Sequence, residues 1–261
     1  MLRLVALCLG LFASAALAED RAVDLELVLA VDVSRSMSPE ELELQRRGYA
    51  AALTSPEVIR AIQSGLYGSI ALTYVEWAGN GAQRVIVPWT EIAAPEDAAL
   101  VAERITAHFD GGLRRTSISS ALRYAARLFD DNGFDGFRRV IDISGDGPNN
   151  MGLPVLTARA EVLAQGITIN GLPLMTTDAL SEIWGIPDLD LYYTNCVIGG
   201  PGAFVIPVLT WQQFPDAIRR KLVLEIAENP PTARVTPAQG GYDCLIGETM
   251  WQRNRRYFEI P

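Results

Sequence analysis

Residues 25–36 read LELVLAVDVSRS. The nearly continuous apolar run over 25–31 is what a strand buried on both faces by flanking helices shows. It breaks abruptly into Asp32-Val33-Ser34-Arg35-Ser36, and Pro39, Glu40 and Glu41 then open a helix, because Pro suits the first turn and acids complement its positive end. Outward from this strand–loop–helix unit the alternation repeats. Residues 69–77 (SIALTYVEW) and 83–89 (QRVIVPW), joined by AGNGA, read as a β-hairpin. A helix is expected over 95–109, stopping at Asp110-Gly111-Gly112. A second, over 117–129, places Ile118, Leu122, Ala125 and Phe129 on one stripe, with Thr116 and Ser117 as capping candidates. Residues 139–144 (RVIDIS) form a strand, followed by the loop GDGPNN over 145–150. A helix over 154–165 stops at Gly166, and a strand over 167–174 follows. Residues 175–202 are irregular and longer than a usual crossover. A last strand is expected over 203–209 (AFVIPVL), a last helix over 211–227 ending at Asn229-Pro230-Pro231, and a tail of polar turns over 232–261. The alternation predicts an α/β fold, a doubly wound, mostly parallel sheet with one antiparallel edge strand.

The first residues, MLRLVALCLGLFASAALA, carry one basic residue, Arg3, then an apolar run closing on Ala16-Leu17-Ala18, the pattern of a cleavable secretory signal. The expected organisation is a signal peptide over 1–18, one domain over 19–229, and a C-terminal tail over 230–261 packed on that domain. No later stretch approaches the roughly 20 apolar residues of a membrane-spanning helix, so a secreted, periplasmic or extracellular product without an integral membrane segment is expected. The net charge of −9 argues against nucleic acid and anionic membranes as partners. Signal cleavage removes Cys8 and leaves Cys196 and Cys244, an even pair in an exported chain, from which one disulfide is expected.

In an open α/β sheet, ligands bind beyond the carboxyl ends of the strands. Three loops there carry hard oxygen donors: Asp32, Ser34 and Ser36 at alternate positions, a hydroxyl in the loop 111–117 at a helix start, and Asp146 directly after a buried strand. Two carboxylates and three hydroxyls, with no thiolate or imidazole, suit Mg2+, Mn2+ or Ca2+ better than Zn2+ or copper.

These residues, in this order in a βα alternation, resemble the metal-ion-dependent adhesion site (MIDAS) of von Willebrand factor A-type (vWA) domains, over residues 24–227. The resemblance implies a Rossmann-like vWA fold, a metal held directly or through water by Asp32, Ser34, Ser36, Thr116 and Asp146, and a coordination position open to an Asp or Glu of a partner protein. The chain as a whole is similar to a family of secreted bacterial vWA proteins of unassigned function. The expected function is cation-dependent protein binding, adhesion or assembly, at the cell envelope, with no catalytic residues. Two alternatives stay open: a Mg-dependent phosphohydrolase, which would need a nucleophile or base beside the metal, and a purely structural envelope protein. The donors would then only cap helices and satisfy loop backbone. His108, the single histidine, rules out a multi-histidine zinc cluster. Arg35, Arg114 and Arg115 lie in the same loops, either attracting an acidic partner or remaining solvated.

Overall fold

A computed structural model describes residues 19–107, 113–176, 185–227 and 241–258, without side-chain detail for 255–258. The proposed signal peptide, His108, Gly111, Gly112, the middle of the irregular connection and the Asn229-Pro230-Pro231 terminator lie outside them.

The strands are β1 (Arg21–Val23), β2 (Leu25–Asp32), β3 (Ile70–Trp77), β4 (Gln83–Ile92), β5 (Phe134–Gly136), β6 (Arg139–Gly145) and β7 (Thr168–Pro173). The main sheet has the order β4-β3-β2-β6-β7. All neighbours are parallel except the β3–β4 hairpin at one edge. The fold is therefore the doubly wound, mostly parallel sheet with one antiparallel edge strand that the alternation predicts. β2 alternates between two cores. Leu25, Leu27, Leu29 and Val31 face one apolar cluster, while Val28 and Ala30 face the other. That is why its sequence reads as apolar throughout rather than alternating.

The helices are α1 (Pro39–Leu53), α2 (Pro56–Gln63), α3 (Pro95–Ala107), α4 (Ile118–Arg127), α5 (Val155–Leu163), α6 (Leu189–Tyr192), α7 (Phe214–Ile226) and α8 (Ile246–Phe258). α1 starts with a capping box: the Glu41 N–H donates to Ser38 Oγ (3.2 Å) and the Ser38 N–H donates to Glu41 Oε2 (2.8 Å). Gln45 on α1 donates to the Asp32 carbonyl (2.9 Å), tying the helix to the end of β2. The expected stripe of α4, Ile118, Leu122 and Ala125 with Phe129 just beyond, is buried against the second core.

Besides β1, α2 and β5, for which the sequence reading had no element, three segments depart from it. Residues 203–209 form no strand; Val205 and Val208 make only isolated parallel bridges, to Gly171 of β7 and to Leu174 just beyond it, because Pro173 has no N–H to donate to the Ile206 carbonyl between them. The tail carries a helix, α8, rather than polar turns alone. Within the irregular connection, α6 runs directly into a π-helical turn over Tyr193–Val197.

Candidate metal centre

Asp32 closes β2 and Asp146 follows the last residue of β6, its parallel neighbour, with Val31 opposite Ser144 in register. The two carboxylates therefore leave from adjacent strand ends. Asp32 Oδ1 accepts the Ser34 N–H (2.7 Å), Ser34 and Ser36 hydroxyls lie 3.0 Å apart, and Ser34 Oγ donates to Asp146 Oδ1 at 3.5 Å. The second loop is zipped to both others. The Leu113 N–H donates to the Val33 carbonyl (2.8 Å). The Thr116 N–H donates to Asn150 Oδ1 (3.2 Å), and the Asn150 N–H donates to the Thr116 carbonyl (3.0 Å). Thr116, Ser34 and Ser36 line one cleft of about 490 Å3. Four of the five expected donors are thus joined by hydrogen bonds and the fifth, Thr116, faces the same space.

Helix capping does not explain this cluster. α1 and α4 are capped by the Ser38 and Ser117 side chains, and α5 has no side-chain cap. Asp32 is fully buried, and its Oδ2 has no hydrogen-bond partner. Burial, and secondly the negative charge of Asp146, push its carboxyl well above the usual carboxylate range. A divalent cation among these oxygens would oppose both causes and give Oδ2 a partner, so the donor set fits a hard metal ion. Among the described residues no group of three or more His, Cys, Asp and Glu is gathered as a metal site, so any ion held here relies on hydroxyls.

Sequence reasoning missed the residues beneath and beside the cluster. Tyr193 OH and Trp77 Nε1 are buried without hydrogen-bond partners. A Cβ at Gly145 would lie 2.8 Å from Tyr193 OH and 2.9 Å from Asp32 Oδ2, so only glycine fits between them. Burial, then the charges of Asp32 and Asp146, raise the Tyr193 phenol well above its ordinary value. No periodicity marks Tyr193, because it sits in a π-helical turn. Asn149 is also fully buried: its Oδ1 accepts the Ser119 N–H (3.0 Å) and its Nδ2 donates to Glu248 Oε1 (2.7 Å). The paired asparagines of the GDGPNN loop were the available signal.

Cys196 and Cys244 form a disulfide, as expected, and hold α8 against the domain. Tyr242 OH donates to Asp188 Oδ2 (2.9 Å). A Cβ at Gly247 would meet the Asn149 carbonyl at 2.1 Å, which shows how closely the tail lies on the GDGPNN loop. The tail also brings Trp251 into the wall of the cleft, with the Arg115 guanidinium 4.6 Å above its ring. Arg115 holds the left-handed backbone conformation, φ 71°. No helix among the described residues is long and apolar enough to cross a membrane.

Residues 22–230 match a family profile described as protein of unknown function (DUF1194). No curated protein matches. Among solved structures, proximal thread matrix protein 1 from the mussel byssus is similar at 14% identity and TM-score 0.57, over 80% of this chain and 48% of that chain. A second structure of that protein, described with a zinc-occupied MIDAS motif, aligns at 16% identity and TM-score 0.55, over 80% and 49%. The pilus adhesin SpaC from Lactobacillus rhamnosus GG, in an open conformation, aligns at 12% and 0.58, over 81% of this chain and 31% of that one. The chain thus spans about half the length of the byssus protein or less of these relatives. At these identities the likeness is one of fold, and the fold is the vWA type.

Proposed function

We propose that this chain, which belongs to the DUF1194 family and has the vWA-type fold, is an exported, non-enzymatic binding module that grips a partner protein through a divalent cation. Asp32, Ser34, Ser36, Thr116 and Asp146 hold the ion, with Mg2+ the first choice and Mn2+ or Ca2+ the alternatives. An Asp or Glu of the partner completes its coordination, in adhesion or assembly at the cell envelope. The bound ion supplies a fixed positive charge on which a foreign carboxylate can close. The protein's own residues orient it: the Ser34 N–H and Gln45 fix the end of β2, and the Thr116–Asn150 pair fixes the second loop. The domain over 19–229 carries the site, and Trp251 of the tail stands in one wall of its cleft.

The observation that carries this reading is Asp32 Oδ2, a buried carboxylate oxygen without a partner beside a second carboxylate. A buried charge left in that state is costly, and a hard cation is its natural remedy. The zinc-occupied MIDAS motif of the byssus protein supports a divalent ion on this fold. The test is thermal unfolding with Mg2+ and with chelator. A ligand bound only by the folded state stabilises by about 2.7 kcal/mol at a hundred times its Kd. The wild-type midpoint should rise with Mg2+, and Asp146→Ala should abolish the rise. Identical wild-type melting across millimolar Mg2+, Mn2+, Ca2+ and chelator would refute the proposal.

A further inference from the structure

The cleft beside the candidate metal centre has a character opposite to that of the whole molecule. The chain has 31 acidic against 22 basic residues and a net charge of −9. Yet the described residues that line the cleft include Arg35, Arg114 and Arg115 and no carboxylate. Elsewhere arginines find acids: Arg46 and Arg84 share Glu76, Arg139 pairs with Glu26, and Arg123 with Glu161. Arg35 and Arg114 are exposed and form no ion pair among the described residues. In the same cleft, Arg115 is fixed by its stacking on Trp251 and by a backbone conformation that non-glycine residues rarely adopt. With a divalent ion bound, the charges of Asp32 and Asp146 are neutralised, and the guanidinium charges remain available to an incoming anion.

We infer that the cleft contains a second anchor, Arg35 and Arg114 together with the Arg115–Trp251 pair, which seats a second carboxylate of the partner. The recognised feature is then an acidic peptide segment with two nearby carboxylates, one on the cation and one on the guanidinium groups. This inference rests on the cation-bridged reading above. Guanidinium forks bind carboxylates in a planar two-point geometry, and a cleft of about 490 Å3 is sized for a few side chains rather than for a bare ion. Trp251 adds an apolar surface against which the stem of a glutamate packs. Arg35 is placed for this by the D-x-S-x-S spacing itself, since the residue between Ser34 and Ser36 stands at the lip while the two hydroxyls face inward.

The test uses the full chain after export, labelled with 15N and held at saturating Mg2+. Two blocked peptides, Gly-Glu-Gly-Gly-Gly and Gly-Glu-Gly-Glu-Gly, are titrated while the Trp indole and Arg Nε resonances are followed. The two-glutamate peptide should bind about tenfold or more tightly than the other, the scale of a close charged contact. In the double variant Arg35→Gln, Arg114→Gln the two affinities should converge, while the Mg2+ rise in melting temperature persists and shows that fold and metal site are intact. Equal wild-type affinities, a preference that survives in the double variant, or no binding of either peptide would overturn the inference. Tripolyphosphate binding more tightly than the two-glutamate peptide would replace the peptide with a phosphate ligand and also overturn it. A two-glutamate preference that survives chelator but vanishes in the double variant would support the guanidinium anchor while refuting the cation bridge.

Discussion

Replacing Asp32 with Asn should reverse its effect on stability according to whether a divalent ion is present. The Asn side chain keeps the oxygen that accepts the Ser34 N–H at 2.7 Å. It removes the charge from a fully buried position next to Asp146, where Oδ2 has no hydrogen bond. An unsatisfied buried group costs about 1–3 kcal/mol, more if charged, so in chelator the variant should be more stable than wild type by about 1–2 kcal/mol. At 1 kcal/mol per roughly 2–4 °C for a domain of this size, that is a rise of about 2–8 °C. With Mg2+ at a hundred times its Kd the wild type gains about 2.7 kcal/mol, or roughly 5–11 °C. The variant, with one ligand charge gone, should gain little, so the order of the two melting temperatures inverts. Differential scanning fluorimetry of both proteins in EDTA and across a Mg2+ series reads the inversion directly. If Asp32→Asn were destabilising by the same amount with and without Mg2+, Asp32 would be a structural residue only, and the metal reading would fail.

Three further outcomes are expected. Glu76 is fully buried between Arg46 and Arg84, so Glu76→Gln should cost about 3–5 kcal/mol in urea unfolding by stripping a buried guanidinium of its counter-charge. Burial, and secondly the charge of Asp142, push Glu225 up to about 7 from 4.5, against the pull of Lys221. Its raised value means that the stability it contributes is fully present below pH 4.5 and is lost as pH rises through 7. Urea midpoints should therefore fall over that window, by no more than roughly 3 kcal/mol, and Glu225→Gln should flatten the slope; a wild-type slope unchanged in the variant would refute it. The Cys196–Cys244 bridge joins residues 48 apart, and replacing both with Ser should lower stability by about 4 kcal/mol on loop-entropy grounds. An unchanged midpoint under oxidising conditions would mean that the tail holds by its polar contacts alone.

The parts of the fold that were legible in the sequence are those whose local pattern and tertiary environment agree. β2 reads as apolar because both its faces are covered, the β3–β4 hairpin announces itself by AGNGA, and α4 shows its stripe of Ile118, Leu122 and Ala125. β1 and β5 were invisible, because three residues each cannot display a period. α2 had its cue in Ser55-Pro56-Glu57, where Ser55 caps and Pro56 leads, but its brevity hid it. Residues 203–209 had strand composition, and a proline on the neighbouring strand, Pro173, interrupted their ladder. α8 is weakly apolar and owes its position to the bridge at Cys244, which no helical pattern encodes. At the site, alternate spacing marked Asp32, Ser34 and Ser36 and a strand end marked Asp146, whereas Thr116 was singled out within its loop only by the vWA resemblance. Tyr193, Trp77 and Asn149 could not be found in these ways, since their roles arise from distant segments meeting under Gly145 and against α8.

The contrast between the cationic cleft and the acidic body of the molecule has a kinetic consequence. An anion more than a Debye length away, about 10 Å at 0.1 M salt, experiences mainly the whole molecule and its charge of −9, and is repelled. Once inside that distance it is drawn by the three arginines. Added salt therefore acts on the two stages in opposite senses, hastening arrival by screening the body and hastening departure by loosening the grip. Encounters are slow and selective in dilute buffer, and brief and frequent in brine.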